Sequence, residues 1–148
     1  MKNEKNHEAS LTGAQHATRN FRGVFAIDML PKKIRKDESG IINFQPSNCY
    51  GSHWVCYVNK PYLRNILYFD SFGISPPEKI KTYLLSSGKN IAWNSTQLQM
   101  NSSVLCGHYC IYVIINVNRG KDFYDILYSF KQIPCSFNEK KFVDIVHS

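Results

Sequence analysis

The sequence predicts an α+β fold: a small, mostly antiparallel sheet with helices packed on it. Three observations predict it. Two short runs rich in β-branched and aromatic residues, His53 to Asn59 and Asn65 to Asp70, read as paired strands joined by a connection of about five residues. Phe123, Ile126, Leu127 and Phe130 recur at i, i+3, i+4 and i+7, the spacing of one helix face. Cys106 to about Val117 is apolar on nearly every side, which suits a central buried helix.

The remaining elements follow in order. Residues 1–20 are polar and read as an N-terminal arm, and 21–148 as one domain. Residues 31–40 form a charged loop ending in Gly40, and Ile41 to Phe44 a short strand. Asn59, Lys60 and Pro61 break the first long strand, and Ser71, Phe72 and Gly73 close the second. Pro76 and Pro77 open a helix through Leu85, with Ile80, Tyr83 and Leu84 on its apolar face and Gly88 at its end. Ile91 to Leu98 reads as a further strand. Ser136 and Glu139 form a capping box for a last helix carrying Phe142, Ile145 and Val146.

Composition sets bounds on function. At 148 residues, 43% apolar and 20% charged, the chain can bury a core without metal or disulfide staples. No run approaches the roughly 18 apolar residues of a membrane span. The polar N-terminus has no hydrophobic stretch, so no secretory signal is expected. The five cysteines, Cys49, Cys56, Cys106, Cys110 and Cys135, are an odd count, which suits reduced thiols in an intracellular setting. Two sequons, at Asn94 and Asn101, flank the candidate chemistry, where a glycan would obstruct it. The net charge of +7 favours polyanions. Its sharpest cluster, Lys32, Lys33, Arg35 and Lys36, reads as a nucleic-acid patch, an import signal or a solvated loop.

The chemistry sits in four residues. His53, Asp70, Gln99 and Cys106 occur in that order. A histidine can take the thiol proton, a carboxylate can orient the imidazole, and an amide can donate to a developing oxyanion. Cys106 stands at a predicted helix start, where orphan N–H groups and the positive dipole end favour a thiolate. His53 begins a strand after a Gly-Ser turn; His108, only two residues from Cys106, would lie about 200° around the helix from it. Asp70 ends the second strand, where it also reads as a turn aspartate. Gln97 is the alternative to Gln99. Taken by itself Trp54 reads as a core tryptophan, and Gly107 lets a substrate backbone come close. Cys106 and Cys110, at i and i+4, would suit one metal ion, but a second ligand pair is missing, so no metal is expected.

His53-Trp54, the Phe69-Asp70-Ser71-Phe72-Gly73 run, Gln99 seven residues before Cys106-Gly107, and Arg22 to Asp28 together resemble the adenain-like and SUMO-protease-like cysteine proteases. The adenovirus-type branch is the nearer, as found in adenoviruses, related double-stranded DNA viruses, virophages and Polinton/Maverick elements. The resemblance spans roughly Phe21 to Asn118. It implies the papain-like/adenain-like fold, with the nucleophile at the N-terminus of a central helix. It also implies an oxyanion role for Gln99 beside the Cys106 N–H, and a slot for small residues lined by Trp54 and Gly107. Adenovirus enzymes usually carry glutamate where SUMO-type enzymes carry aspartate, as Asp70 does here.

The expected function is a cysteine endopeptidase that processes viral capsid or core precursors during virion maturation. The alternatives are an isopeptidase for ubiquitin-like modifiers and an inactive protease fold kept as a binding module. No cofactor is required by the sequence, and activation by DNA or a viral peptide is left open. The expected partners are polypeptide substrates and, from charge, nucleic acid, with no membrane and a monomeric chain. The expected location is the host nucleus or cytoplasm, with packaging in the virion as a further reading.

Overall fold

The computed structural model describes residues 19–45, 53–95, 97 and 106–130, and the backbone of 143–146. Six strands form one sheet in the order β1-β2-β3-β4-β5-β6: β1 (Phe21–Ala26), β2 (Glu38–Asn43), β3 (Trp54–Asn59), β4 (Ile66–Phe69), β5 (Ile91–Asn94) and β6 (Val143–Val146). The sheet is mixed. β2/β3, β3/β4 and β5/β6 run antiparallel, while β1/β2 and β4/β5 run parallel. Among the described residues, three α-helices complete the α+β fold: α1 (Glu78–Leu85), α2 (Cys106–Asn118) and α3 (Phe123–Ser129).

Side-chain alternation along each strand divides the core in two. Cys56 and Val58 of β3, Leu67 and Phe69 of β4 and Ala92 of β5 face Val113, Ile114 and Val117 of α2 and Phe123, Ile126 and Leu127 of α3. Val55, Tyr57, Ile66, Tyr68 and Ile91 face the other way, onto Ile80, Tyr83 and Leu84 of α1. Helices therefore cover both faces of the sheet. Phe130, just past α3, ties the first layer together, with ring centroids 5.7 Å from Phe69, 5.3 Å from Tyr109 and 5.2 Å from Tyr112. Asp122 caps α3 by accepting the Tyr124 N–H at 3.0 Å.

Several sequence expectations change. The last helix is not formed over Val143–Val146, which pairs with β5 as a strand; its expected start at Ser136 lies outside the described residues. The charged loop stops at Asp37, because Glu38, Ser39 and Gly40 are buried in β2. The strand expected to reach Leu98 ends at Asn94. Helix α2 is not buried all round: Ile111 and Tyr112 are exposed. Strand β1, which the pattern of Phe21 to Ala26 did not announce, forms one sheet edge. Apart from Arg19 and Asn20, which turn into β1, the N-terminal arm lies outside the described residues.

Strand β2 carries a charge into the interior. Glu38 is 1% exposed. Its carboxylate accepts from Arg22 Nη1 at 2.9 Å, from the Arg35 N–H, and from the phenols of Tyr57 and Tyr83. A buried carboxylate persists only when so partnered. The arrangement leaves Gly40 no room for a side chain, since a Cβ there would lie 2.6 Å from the Tyr57 hydroxyl. Burial first, then the Glu38 contact, pushes the Tyr57 phenol far above its ordinary range, and burial also raises Tyr83. A raised phenol pKa means that the folded state keeps a proton which the unfolded chain gives up. Stability is then intact below about pH 10, the ordinary tyrosine value, and declines as pH climbs beyond it. Urea unfolding between neutral pH and alkaline pH should show this decline, and Tyr57→Phe should make it shallower. Equal slopes in the two proteins would remove Tyr57 from the account.

Candidate active site

The site forms where β3 begins, β4 ends and α2 starts. His53 immediately precedes β3, and its carbonyl accepts the Phe44 N–H at 3.0 Å, which pins it to the end of β2. Its ring packs between Phe44 at 4.9 Å and Phe72 at 4.8 Å, leaving the side chain 14% exposed. His53 Nε2 lies 2.9 Å from Asp70 Oδ1. An ionised carboxylate can only accept, so Nε2 donates and Nδ1 carries the free lone pair. Nδ1 is buried and makes no hydrogen bond.

Asp70 follows β4 and is fully buried. Its Oδ1 also accepts the Phe72 N–H at 2.8 Å, and its carbonyl accepts Gly73 N–H at 2.8 Å. Asp70 thus closes a turn and contacts the His53 ring through the same oxygen. Gly73 closes the turn at φ 69°, a left-handed conformation that favours glycine. Oδ2 is buried and unpartnered, a spare acceptor beside the imidazole.

Cys106 is the first residue of α2 and is fully buried. The Trp54 N–H donates to its sulfur at 3.3 Å. One turn later, Cys110 Sγ donates to the Trp54 carbonyl at 3.5 Å. The two cysteines therefore grip one residue of β3, Trp54, through its N–H and its carbonyl, and hold the start of α2 against the residue next to His53. This pairing uses their i, i+4 spacing, which places both sulfurs on the same face of α2. Burial pushes the Cys110 thiol well up, so it remains a neutral donor.

Trp54 is half-buried and packs on the α2 face of the core. With Gly107, His108, Val24, Ile41 and Ile111 it lines a cavity of about 290 Å³. Val24, Ile41 and Ile111 also line a second cavity of about 290 Å³ with Phe21 and Ile114. Together the two make an apolar trough from the Cys106 end of α2 along β1. A Cβ at Gly107 would meet nothing within 4 Å, so the protein's own packing does not require glycine there. His108 is exposed at the rim.

The structure brings His53, Trp54, Asp70, Cys106 and Gly107 to one place. Gln99 lies outside the described residues, and Gln97 is exposed. Lys32, Lys33, Arg35 and Lys36 sit apart from this site, in the loop that enters β2. Asn94 is the residue that the sequence did not reveal. Its Oδ1 accepts the Asp70 N–H at 3.0 Å, and its Nδ2 donates to the Asp70 carbonyl. The parallel pairing of β4 and β5 brings the two strand ends together. Asn94 is 1% exposed, so this sequon asparagine is occupied within the fold.

A thiol at a helix start, an imidazole one residue from its N–H donor, and a buried carboxylate on the far ring nitrogen are the groups of thiol-dependent acyl transfer. No protein-family model and no curated protein matches the chain. Among solved structures it is similar to the ASFV pS273R protease, with 18% identity and a TM-score of 0.44 over 72% of this chain and 41% of that one. The chain thus spans less than half the length of that protease, and the likeness is too distant to assign residue roles.

Asn94→Ala should cost about 1–3 kcal/mol, because it strips a buried N–H and carbonyl of their side-chain partner. Urea unfolding at neutral pH measures this. A loss within about 0.5 kcal/mol, the range of ordinary surface changes, would show that Asn94 does not hold Asp70.

Proposed function

We propose that the chain is a cysteine peptidase of the SUMO-protease-like kind, acting on viral capsid or core precursors. The observation that carries this reading is the meeting of three groups at the start of β3. Cys106 Sγ accepts from the Trp54 N–H at 3.3 Å, and the adjoining His53 holds Asp70 at 2.9 Å through Nε2. The adenain-like sequence pattern around these residues supports the finer assignment.

In this reading the Cys106 thiol gives its proton to His53 Nδ1, and the sulfur attacks the substrate carbonyl carbon. The carbonyl oxygen becomes an oxyanion held by Gln99 and the Cys106 N–H. Collapse breaks the C–N bond, and the imidazolium returns its proton to the leaving amine. Water then hydrolyses the thioester and frees the thiol. Nδ1 makes no hydrogen bond in the resting structure; contacts of this kind commonly tighten only when substrate binds. Asp70 keeps Nε2 protonated throughout, which leaves Nδ1 as the base. The trough beyond Trp54 supplies apolar contact for an extended polypeptide, and the open space at Gly107 leaves room for the substrate backbone beside the reacting bond.

One observation favours a second reading. An aspartate on the histidine, rather than glutamate, is the SUMO-type choice, so a modifier isopeptidase is the alternative substrate class. Matched panels of viral precursor peptides and Gly-Gly modifier fusions separate the two by kcat/KM.

Cys106→Ala should abolish cleavage while circular dichroism stays unchanged. A peptide vinyl sulfone should form one adduct on the wild-type protein, mapped to Cys106 by mass spectrometry. An adduct on Cys49, Cys56 or Cys135 with Cys106 unmodified would overturn the nucleophile.

Gln99→Ala should lower kcat about 10²–10³-fold, the usual loss for one oxyanion donor. Gln97→Ala should do far less. The reverse order in steady-state kinetics would move the oxyanion role to Gln97.

A further inference from the structure

The cationic loop before β2 is built into a cavity at the far end of β3 from Cys106. The cavity measures about 340 Å³, and its lining includes Lys33, Arg35, Lys36, Lys89, Asn59 and Ser87. That volume falls at the lower end of small-molecule sites. From Trp54 to Asn59 the strand covers roughly 17 Å at about 3.4 Å per residue, so this cavity is separate from the candidate active site.

Four cations share the cavity with no carboxylate in its lining. The two neighbouring acids are already engaged: Glu38 with Arg22 at 2.9 Å and Asp37 with Lys60 at 2.8 Å. Among the described residues, no salt bridge reaches Lys33, Arg35, Lys36 or Lys89. The loop that presents them is tied down by its backbone. Lys33 carbonyl accepts from Arg22 at 2.9 Å, Ile34 N–H donates to Ser86 Oγ at 3.2 Å, and Arg35 carbonyl accepts from Asn59 Nδ2 at 2.8 Å. Lys89 Nζ donates to Asn59 Oδ1 at 2.9 Å and to the Lys60 carbonyl at 2.8 Å. An ammonium has three donors, so one is left over. Burial lowers the Lys89 pKa, the sign of a cation not offset by an anion. The last carbonyls of α1 do not compete for the space, because the N–H groups of Ser86, Ser87 and Gly88 occupy them.

We propose that this cavity is a binding site for a compact phosphate-bearing anion, of polyphosphate or nucleoside polyphosphate size, held by Lys33, Arg35, Lys36 and Lys89. Like charges gathered around one concavity repel, and a multivalent anion relieves that repulsion by accepting from several of them at once. A cavity suits a compact group better than a duplex, whose backbone needs an extended surface. The proposal is independent of the peptidase reading, and its test involves no cleavage.

Lys32 provides an internal control. It belongs to the same charge run but lines a different cavity, beside Asp28 and Glu78. Isothermal titration of the full chain with inorganic tripolyphosphate at fixed ionic strength is the experiment. One saturable site is expected. The paired variant Arg35→Gln and Lys36→Gln should weaken it at least about tenfold, the effect of losing one charge-assisted contact. Lys32→Gln should leave it unchanged. Lys89→Met should weaken it as well, with circular dichroism reporting whether that variant folds; where it does not, the surface pair decides. Equal weakening by Lys32→Gln, or binding that only tracks ionic strength, would overturn the proposal in favour of diffuse charge. A labelled DNA duplex that binds through these residues and is not displaced by tripolyphosphate would overturn it in favour of a nucleic-acid face.

Discussion

Asp70 is the constraint on which the candidate site depends. A fully buried carboxylate is costly to keep unless its surroundings supply donors. Three parts of the chain hold Asp70: the Asn94 amide fixes its backbone, the Phe72 N–H donates to Oδ1, and His53 Nε2 donates to the same oxygen. The first depends on β4 and β5 running parallel and ending together. The second depends on the tight turn that Gly73 closes. The third depends on β3 lying antiparallel to β4, which puts the start of one beside the end of the other. Sheet topology therefore precedes chemistry: without that register, His53 has nothing to set its tautomer.

The thiol is located by a different device. Helix α2 packs on the sheet through Cys110, Val113, Ile114 and Val117. Apolar packing alone tolerates small shifts along a helix axis, because dispersion is not directional. Two sulfur contacts to the backbone of one residue remove that freedom, since Trp54 offers its N–H to Cys106 and its carbonyl to Cys110. Cys110 is thus a positioning group for the residue one turn before it. An alanine there would keep the helix but release one end of the grip.

The parts legible in sequence were those in which local pattern and tertiary role agree. Strands β3 and β4 alternate between two cores and carry β-branched and aromatic residues on both faces, so the runs stood out. The apolar face of α1 was visible because Ile80, Tyr83 and Leu84 follow helical spacing and are buried together. Where local signals conflict, the tertiary environment decides between them. A capping box at Ser136 suggested a helix, but Val143, Ile145 and Val146 are β-branched, and the open edge of β5 takes them as a strand. Ile111 and Tyr112 suggested burial, yet they lie on the solvent side of α2, with Ile111 lining the trough. Asn94 could not be singled out, because its partner is set by a parallel neighbour joined through α1. Glu38 was similarly hidden: in a charged run it looks solvated, and only the fold surrounds it with Arg22, Tyr57 and Tyr83.

Strand β3 joins two chemically opposite ends. Its first residues carry the imidazole neighbour, the indole and the sulfur contacts, within apolar walls. Its last residue, Asn59, links Lys89 and the Arg35 carbonyl in a region of uncompensated positive charge. The ends are too far apart for the cations to act directly on the sulfur through solvent, where screening sets in over about 8 Å at physiological ionic strength. Any influence of one end on the other must pass through the strand. Asn59 meets Glu38 in register, and Asn43 meets Trp54 at the opposite limit of the same pair. A ligand that held the Lys33 to Lys36 loop against Asn59 would therefore steady β2 and β3 together, including the residue whose N–H and carbonyl position α2. Coupling of that kind alters how firmly the site is assembled rather than the charge that the sulfur experiences.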